Sequence, residues 1–168
     1  VTDEEYGIWE HEVGDTLVRE KVLIEPRSNY FIGRVERPVF NSLSTVGLMV
    51  TDLRRKNTGY SNVLGLDWNL RFLNNALSTG GQLVHSLKDG IAGDGARFYI
   101  GYLDPVWWDL NFFTGYKDKT FEINDLGFNK RNDSWYFGTR GGIRKQQPWG
   151  RFLKNELKFR LIVDGRGE

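Results

Sequence analysis

Between Leu64 and Phe72 the chain alternates without a break. Leu64, Leu66, Trp68, Leu70 and Phe72 are apolar, and Gly65, Asp67, Asn69 and Arg71 lie between them. A helix would give these residues no coherent stripe, so a period of two predicts a strand with one greasy face. The same pattern recurs along the chain. Trp108, Leu110 and Phe112, with Tyr116 further on, oppose Asp109, Asn111 and Gly115. Leu157, Phe159, Leu161 and Val163 oppose Glu156, Lys158 and Arg160, and Trp135, Phe137 and Ile143 oppose Gly138, Arg140, Gly142 and Arg144. Phe98, Ile100 and Tyr102 oppose Arg97 and Gly101, while Val46, Leu48 and Val50 oppose Thr45, Gly47 and Thr51. Weaker alternation over 18–24, 30–37 and 77–87 brings the total to about nine strands of about 9–11 residues, the span of a tilted membrane strand.

Turn signals place short connections near 38–42, 73–75, 103–105 and 145–150, and longer ones near 54–61, 88–95 and 117–133. Strict alternation of short and long predicts an all-β, antiparallel up-and-down meander forming part of a transmembrane β-barrel. A soluble β-sandwich that binds or cleaves glycans is the alternative, but Greek-key connections would not keep this order. The chain reads as one domain over 1–168. Residues 1–16 are an acidic lead-in (Asp3, Glu4, Glu5, Glu10, Glu12 and Asp15), strands fill 17–163, and the longest loop is 117–133. Val1 already reads as mid-chain, so a fragment is expected, with flanking strands of the same chain satisfying its free edges.

Composition narrows the class. No run of about 18 apolar residues exists, which excludes a transmembrane helix but not a membrane barrel. Aromatics make up 14 %, with 20 Gly and only 4 Pro, a balance that suits long strands. With no cysteine, neither a disulfide scaffold nor a Cys-ligated metal is available. A net charge of +1 gives no drive toward nucleic acid.

The barrel reading assigns each parity a side. Asp67, Asn69, Arg71, Arg97, Asp109, Asn111, Arg140, Arg144, Glu156, Lys158 and Arg160 would face a wet lumen, either lining a solute path or forming a network that merely fills it. Leu66, Trp68, Leu70, Phe72, Trp108, Leu110, Phe112, Leu157, Phe159 and Leu161 would face lipid. Trp107, Trp108, Trp135, Tyr136 and Trp149 cluster near strand ends. Interfacial girdles, core packing and sugar stacking all remain open for them. The longest loop mixes apolar and charged residues regularly, which predicts that it folds back onto the barrel. Its carboxylates Glu122 and Asp125 are the only pair worth weighing as a glycosidase acid and base, and nothing positions them. His11 and His85 lie far apart, so no zinc spacing exists, and the loop from Asp89 to Gly95 lacks the EF-hand pattern. No catalytic residue, metal or cofactor is expected.

Three strings carry a family resemblance: 44–48 (STVGL), 62–72 (NVLGLDWNLRF) and, most specifically, 121–133 (FEINDLGFNKRND). Over roughly residues 27–163 the chain resembles domain of unknown function 5916. The resemblance implies a C-terminal barrel portion that follows a family-9-like carbohydrate-binding domain in bacterial envelope proteins. Such proteins are often labelled membrane-associated hydrolases. Lipid bilayer, and glycans through that other domain, are the implied partners. The implied location is the bacterial outer membrane, and no catalytic residues carry over.

Overall fold

The computed structural model describes residues 1–14, 16–125, 127–145, 151 and 155–167. Among them are ten strands and no helix: β1 (Glu5–Val13), β2 (Thr16–Glu25), β3 (Ser28–Val39), β4 (Asn41–Arg55), β5 (Gly59–Phe72), β6 (Leu77–Lys88), β7 (Ile91–Leu103), β8 (Trp108–Lys117), β9 (Ser134–Lys145) and β10 (Asn155–Arg166). Strands β3 to β10 form one antiparallel sheet in sequence order, and β1 and β2 form a separate hairpin. The main sheet is therefore an up-and-down meander. It is open: each strand packs only against its hydrogen-bonded neighbours, leaving β3 and β10 as edges.

Two expectations need correction. Ten strands replace about nine, because the acidic lead-in 1–16 supplies β1. Its like charges are separated by Tyr6, Ile8 and Trp9, and Glu10 pairs with Arg19 across the hairpin at 2.7 Å. Nor do the connections alternate strictly in length. The turns expected to be long at 54–61 and 88–95 shrink to 56–58 and 89–90, because β4 to β7 continue past their apolar stretches. Polar cross-strand pairs carry the ladder onward there. Asn62 Nδ2 donates to Asp52 Oδ1 at 2.5 Å, and His85 Nδ1 lies 2.7 Å from Asp94 Oδ1. Polar residues end a hydrophobic pattern without ending a strand. The expected turn at 145–150 falls, apart from Lys145, outside the described residues.

Local chemistry sets the tight turns. The Asp89–Gly90 turn has φ of 50° and 85°, the left-handed pair that a two-residue hairpin needs. In the 104–107 turn, Asp104 Oδ1 accepts from the backbone N–H groups of Val106 (2.9 Å) and Trp107 (2.7 Å). These bonds hold the Asp104 carboxyl below the usual carboxylate range.

Glycines and aromatics interlock across the ladder. Tyr99 lies over Gly80, Phe113 over Gly138 and Tyr136 over Gly115, each directly opposite on the neighbouring strand. On the other face Trp68 lies over Gly81 and Phe159 over Gly141. A ring that covers the bare backbone of its partner recovers the contact a glycine lacks.

Burial is sparse for a chain of this size. Only Leu53 and Phe121 are buried apolar side chains among the described residues. The accessible surface is 12520 Å², against about 8,500 Å² expected for a compact monomer of 19.5 kDa.

Candidate functional site

Directly paired residues share a face of the sheet, so the register sorts every candidate. One row runs Gly47, Asp67, Gln82, Arg97, Gly115, Tyr136, Asp164 across seven strands. Asn69, Arg71, Asp109, Asn111, Arg140, Arg144, Glu156, Lys158 and Arg160 lie on this same face, by strand parity and pairing. Leu66, Trp68, Leu70, Phe72, Trp108, Leu110, Phe112, Leu157, Phe159 and Leu161 lie on the opposite one. Much of this second face is open: Leu66 is 39 % exposed, Phe112 42 %, Phe159 49 % and Leu161 65 %. The apolar band stops toward the 89–90 turn, where the Asp52, Asn62, His85 and Asp94 positions take over.

The polar face is knitted by short-range pairs. Arg34 makes two bonds to Asp67 (2.8 and 3.0 Å) and one to Glu36 (2.8 Å). Tyr99 Oη donates to Asn69 Oδ1 at 3.2 Å, and Asn111 Oδ1 sits against Gly101. Arg144 Nη2 donates to the Asp104 carbonyl at 2.7 Å. Lys158 pairs with Glu156 at 3.1 Å, and the Arg160 guanidinium lies 5.7 Å from the Phe113 ring centre.

Loop 118–133 folds back over this polar face. Its entry is pinned by Asp118, whose Oδ2 accepts from Asp94 N at 2.9 Å, and by Thr120 Oγ1, which donates to the Ala92 carbonyl at 2.6 Å. Burial pushes the Asp118 carboxyl up, but the Asp94 and Thr120 N–H groups and the Thr120 hydroxyl, which donate to it, outweigh that and hold it below its ordinary value. Glu122 N donates to Ser86 Oγ at 3.1 Å. Gly93 lets the loop lie flat on β7: a Cβ there would sit 2.5 Å from Phe121 Cα and N. The Phe121 ring then covers Gly95 and is 3 % exposed. Further along, Asp125 is clasped between Arg55 on β4 (2.6 Å) and Lys88 on β6 (2.8 Å). Burial raises the Asp125 pKa, yet the two cations prevail and keep it below the usual carboxylate range.

Between loop and sheet lies a cavity of about 630 Å³. Arg97, Lys117, Lys130 and Arg131 line it, with Asp67 as the one carboxylate and Phe121, Ile123, Phe128 and Tyr136 as apolar wall. Lys117 Nζ donates to Asn129 Oδ1 at 2.5 Å, while Arg97, Lys130 and Arg131 have no ion-pair partner among the described residues.

The weighed catalytic pair does not assemble. Asp125 is fixed as an ionised latch, whereas a general acid needs a raised pKa. Glu122 Oε1 instead accepts from Asn124 N at 2.7 Å. Asp89 Oδ1 caps Tyr60 N at 2.8 Å, whereas Asp94 turns to His85, so these two do not converge on an ion. No group of three or more potential metal ligands exists among the described residues. Trp107 closes the 104–107 turn and Trp108 begins β8, exposed at 56 % and 41 %, and Trp149 lies outside the described residues.

A sequence model of the family described as Domain of unknown function (DUF5916) matches residues 1–166. The chain belongs to this family. The match takes in the acidic start, so the DUF5916 domain is broader here than the 27–163 resemblance implied, and β1 and β2 belong to it. No curated protein and no solved structure matches the chain.

The sequence pattern missed the loop contacts of this DUF5916 domain. Arg55, Lys88 and Lys117 are polar residues at strand ends, where alternation fades, and their partners are 12 to 70 residues away. The signal was the regular mixture of apolar and charged residues in 121–133 (FEINDLGFNKRND); within it the Asn129 side chain bonds Asn132 and Lys117, and its backbone N–H donates to Asn124 Oδ1 (2.7 Å).

Proposed function

We propose that this domain is part of an outer-membrane β-barrel in a bacterial envelope protein. Its apolar face meets hydrocarbon, and its polar face lines a wet interior that loop 118–133 narrows. One observation carries the reading: a single-layer eight-stranded meander with a broad apolar face that no other described residue covers. The excess accessible surface is what a water-soluble sandwich would have buried against a second sheet.

Three further relationships support it. From Leu64 to Phe72 the apolar run rises about 27 Å along the strand, roughly 20 Å when tilted by about 40°, close to a barrel's lipid band. The paired row lies five residues from the Phe72 end of β5 at Asp67 but nine from the Asn155 end of β10 at Asp164 (72 − 67; 164 − 155). A stagger of this kind is the shear that tilts barrel strands. Exposed Trp107 and Trp108 at one margin, with the Asp52, Asn62, His85 and Asp94 belt at the other, delimit the band.

Open edges cannot sit alone in lipid, so β3 and β10 pair with further strands of the same protein. Thr2 already bridges to Ser28 at the start of β3, the first rung of such a ladder. The role is to anchor its protein in the envelope or to pass solute through the barrel. Glycan contact, where the protein makes it, belongs to another domain.

Fractionation tests this. The full-length protein should pellet with outer membranes, resist extraction by a mild inner-membrane detergent, and migrate faster on gels unheated than boiled. Recovery in the soluble periplasm as a monomer would overturn the proposal.

A further inference from the structure

We propose that the cavity between loop 118–133 and the sheet binds an anionic solute whose body is apolar or aromatic. Four cations, Arg97, Lys117, Lys130 and Arg131, converge on one space of about 630 Å³. Its single carboxylate, Asp67, is already neutralised by Arg34 at 2.8 Å. The local field is therefore positive although the whole chain carries only +1. Asp125 on the same loop is already held between Arg55 and Lys88, so it does not offset the cations of the cavity. Three of these cations, Arg97, Lys130 and Arg131, have no ion-pair partner among the described residues, and such a cluster beside apolar side chains concentrates counter-charge. Ile123, Phe128 and Tyr136 on the cavity wall supply an apolar surface for the rest of the ligand. A volume of several hundred Å³ accommodates a small aromatic acid rather than a bare ion.

The cavity lies within the domain, so the inference stands apart from the membrane placement. A titration reads it whether or not the apolar face meets lipid. Isothermal titration of the full-length protein in neutral detergent would compare phenyl phosphate with phenol at pH 7.5. Phenyl phosphate should bind and weaken steeply with added NaCl, while phenol should not bind measurably. Arg97→Gln and Arg131→Gln should each weaken phenyl phosphate by about three- to thirtyfold, the effect of one charge at ~6 Å in a partly wet site. Arg131→Lys should retain most of the affinity, and Lys119→Gln, on the same loop but outside the cavity, should leave it unchanged. Equal binding of phenol, no phenyl phosphate binding up to about ten times the usual millimolar range of weak sites, or a folded Arg97→Gln/Arg131→Gln variant that binds like the parent would overturn the inference.

Discussion

Arg34 on β3 and Asp67 on β5 meet across the intervening strand, directly over Gly47. A Cβ at Gly47 would fall 2.8 and 2.9 Å from the two Asp67 oxygens and 3.0 Å from Arg34 Nη2. The missing side chain is what lets a bidentate pair form between strands that do not touch. Gly47→Ala should open the pair and destabilise the domain by about 1–2 kcal/mol, despite the helpful loss of chain freedom in the unfolded state. Asp67→Asn should cost about as much, and the double variant little more than either alone. Urea unfolding in liposomes measures the cycle. Full additivity would show that Gly47 acts elsewhere.

The latch at Asp125 predicts a local effect. Asp125→Asn leaves Arg55 and Lys88 facing a neutral amide and removes about 1.5–3 kcal/mol from loop docking. Limited trypsin digestion should then cut at Lys130 or Arg131 several-fold faster than in the parent, while strand cleavage stays unchanged. Equal cleavage would mean that the loop is held by its other contacts.

Acid should release the same loop. The Asp125 and Asp118 carboxyls are depressed below the ordinary 3.8 in the folded protein. Their contribution is complete above that value and fades as pH falls through the lowered folded values. Loop docking should be constant from pH 7 to about 5 and weaken below about 4. A fluorophore on a cysteine introduced at Phe128, which is 84 % exposed, would report this as a rise in mobility. The chain has no other cysteine to compete for label. An onset near pH 6 would point to a different group.

Gly93 tests the fit of loop to sheet. Gly93→Ala places a methyl group 2.5 Å from Phe121 backbone atoms, and backbone cannot rotate away as a side-chain tip can. The loop must lift, exposing Phe121, at a cost of about 1–3 kcal/mol. Gly90→Ala meets nothing within 4 Å, so the strain of its φ of +85° is its only cost. Amide exchange across 118–133 should rise in Gly93→Ala and stay at the parent level in Gly90→Ala.

The strands were legible because alternation is a property of neighbours: Leu64 to Phe72 declares its two faces in nine residues. Register was not legible, since nothing in β5 alone says that Asp67 faces Gln82. The long turns were drawn too wide because Arg54, Arg55, Tyr60 and Ser61, and the glycine-rich stretch 91–95, look like loop residues, yet they pair across strands. The cavity was invisible because its charge comes from three separate stretches, Arg97, Lys117 and 130–131, that only the folded loop unites. Strand β1 was hidden beneath a run of acidic residues whose spacing, rather than whose charge, carried the signal.

The facing of β5 is the central claim, and cysteine accessibility tests it most directly. Single cysteines at Leu64 through Phe72, in protein reconstituted into lipid vesicles, would be challenged with a charged, water-soluble maleimide. Asp67→Cys and Asn69→Cys should label readily from the wet interior, while Leu66→Cys, Trp68→Cys and Leu70→Cys stay protected, giving a period of two. Equal labelling at Leu66→Cys and Asp67→Cys, or the reverse order, would contradict the account.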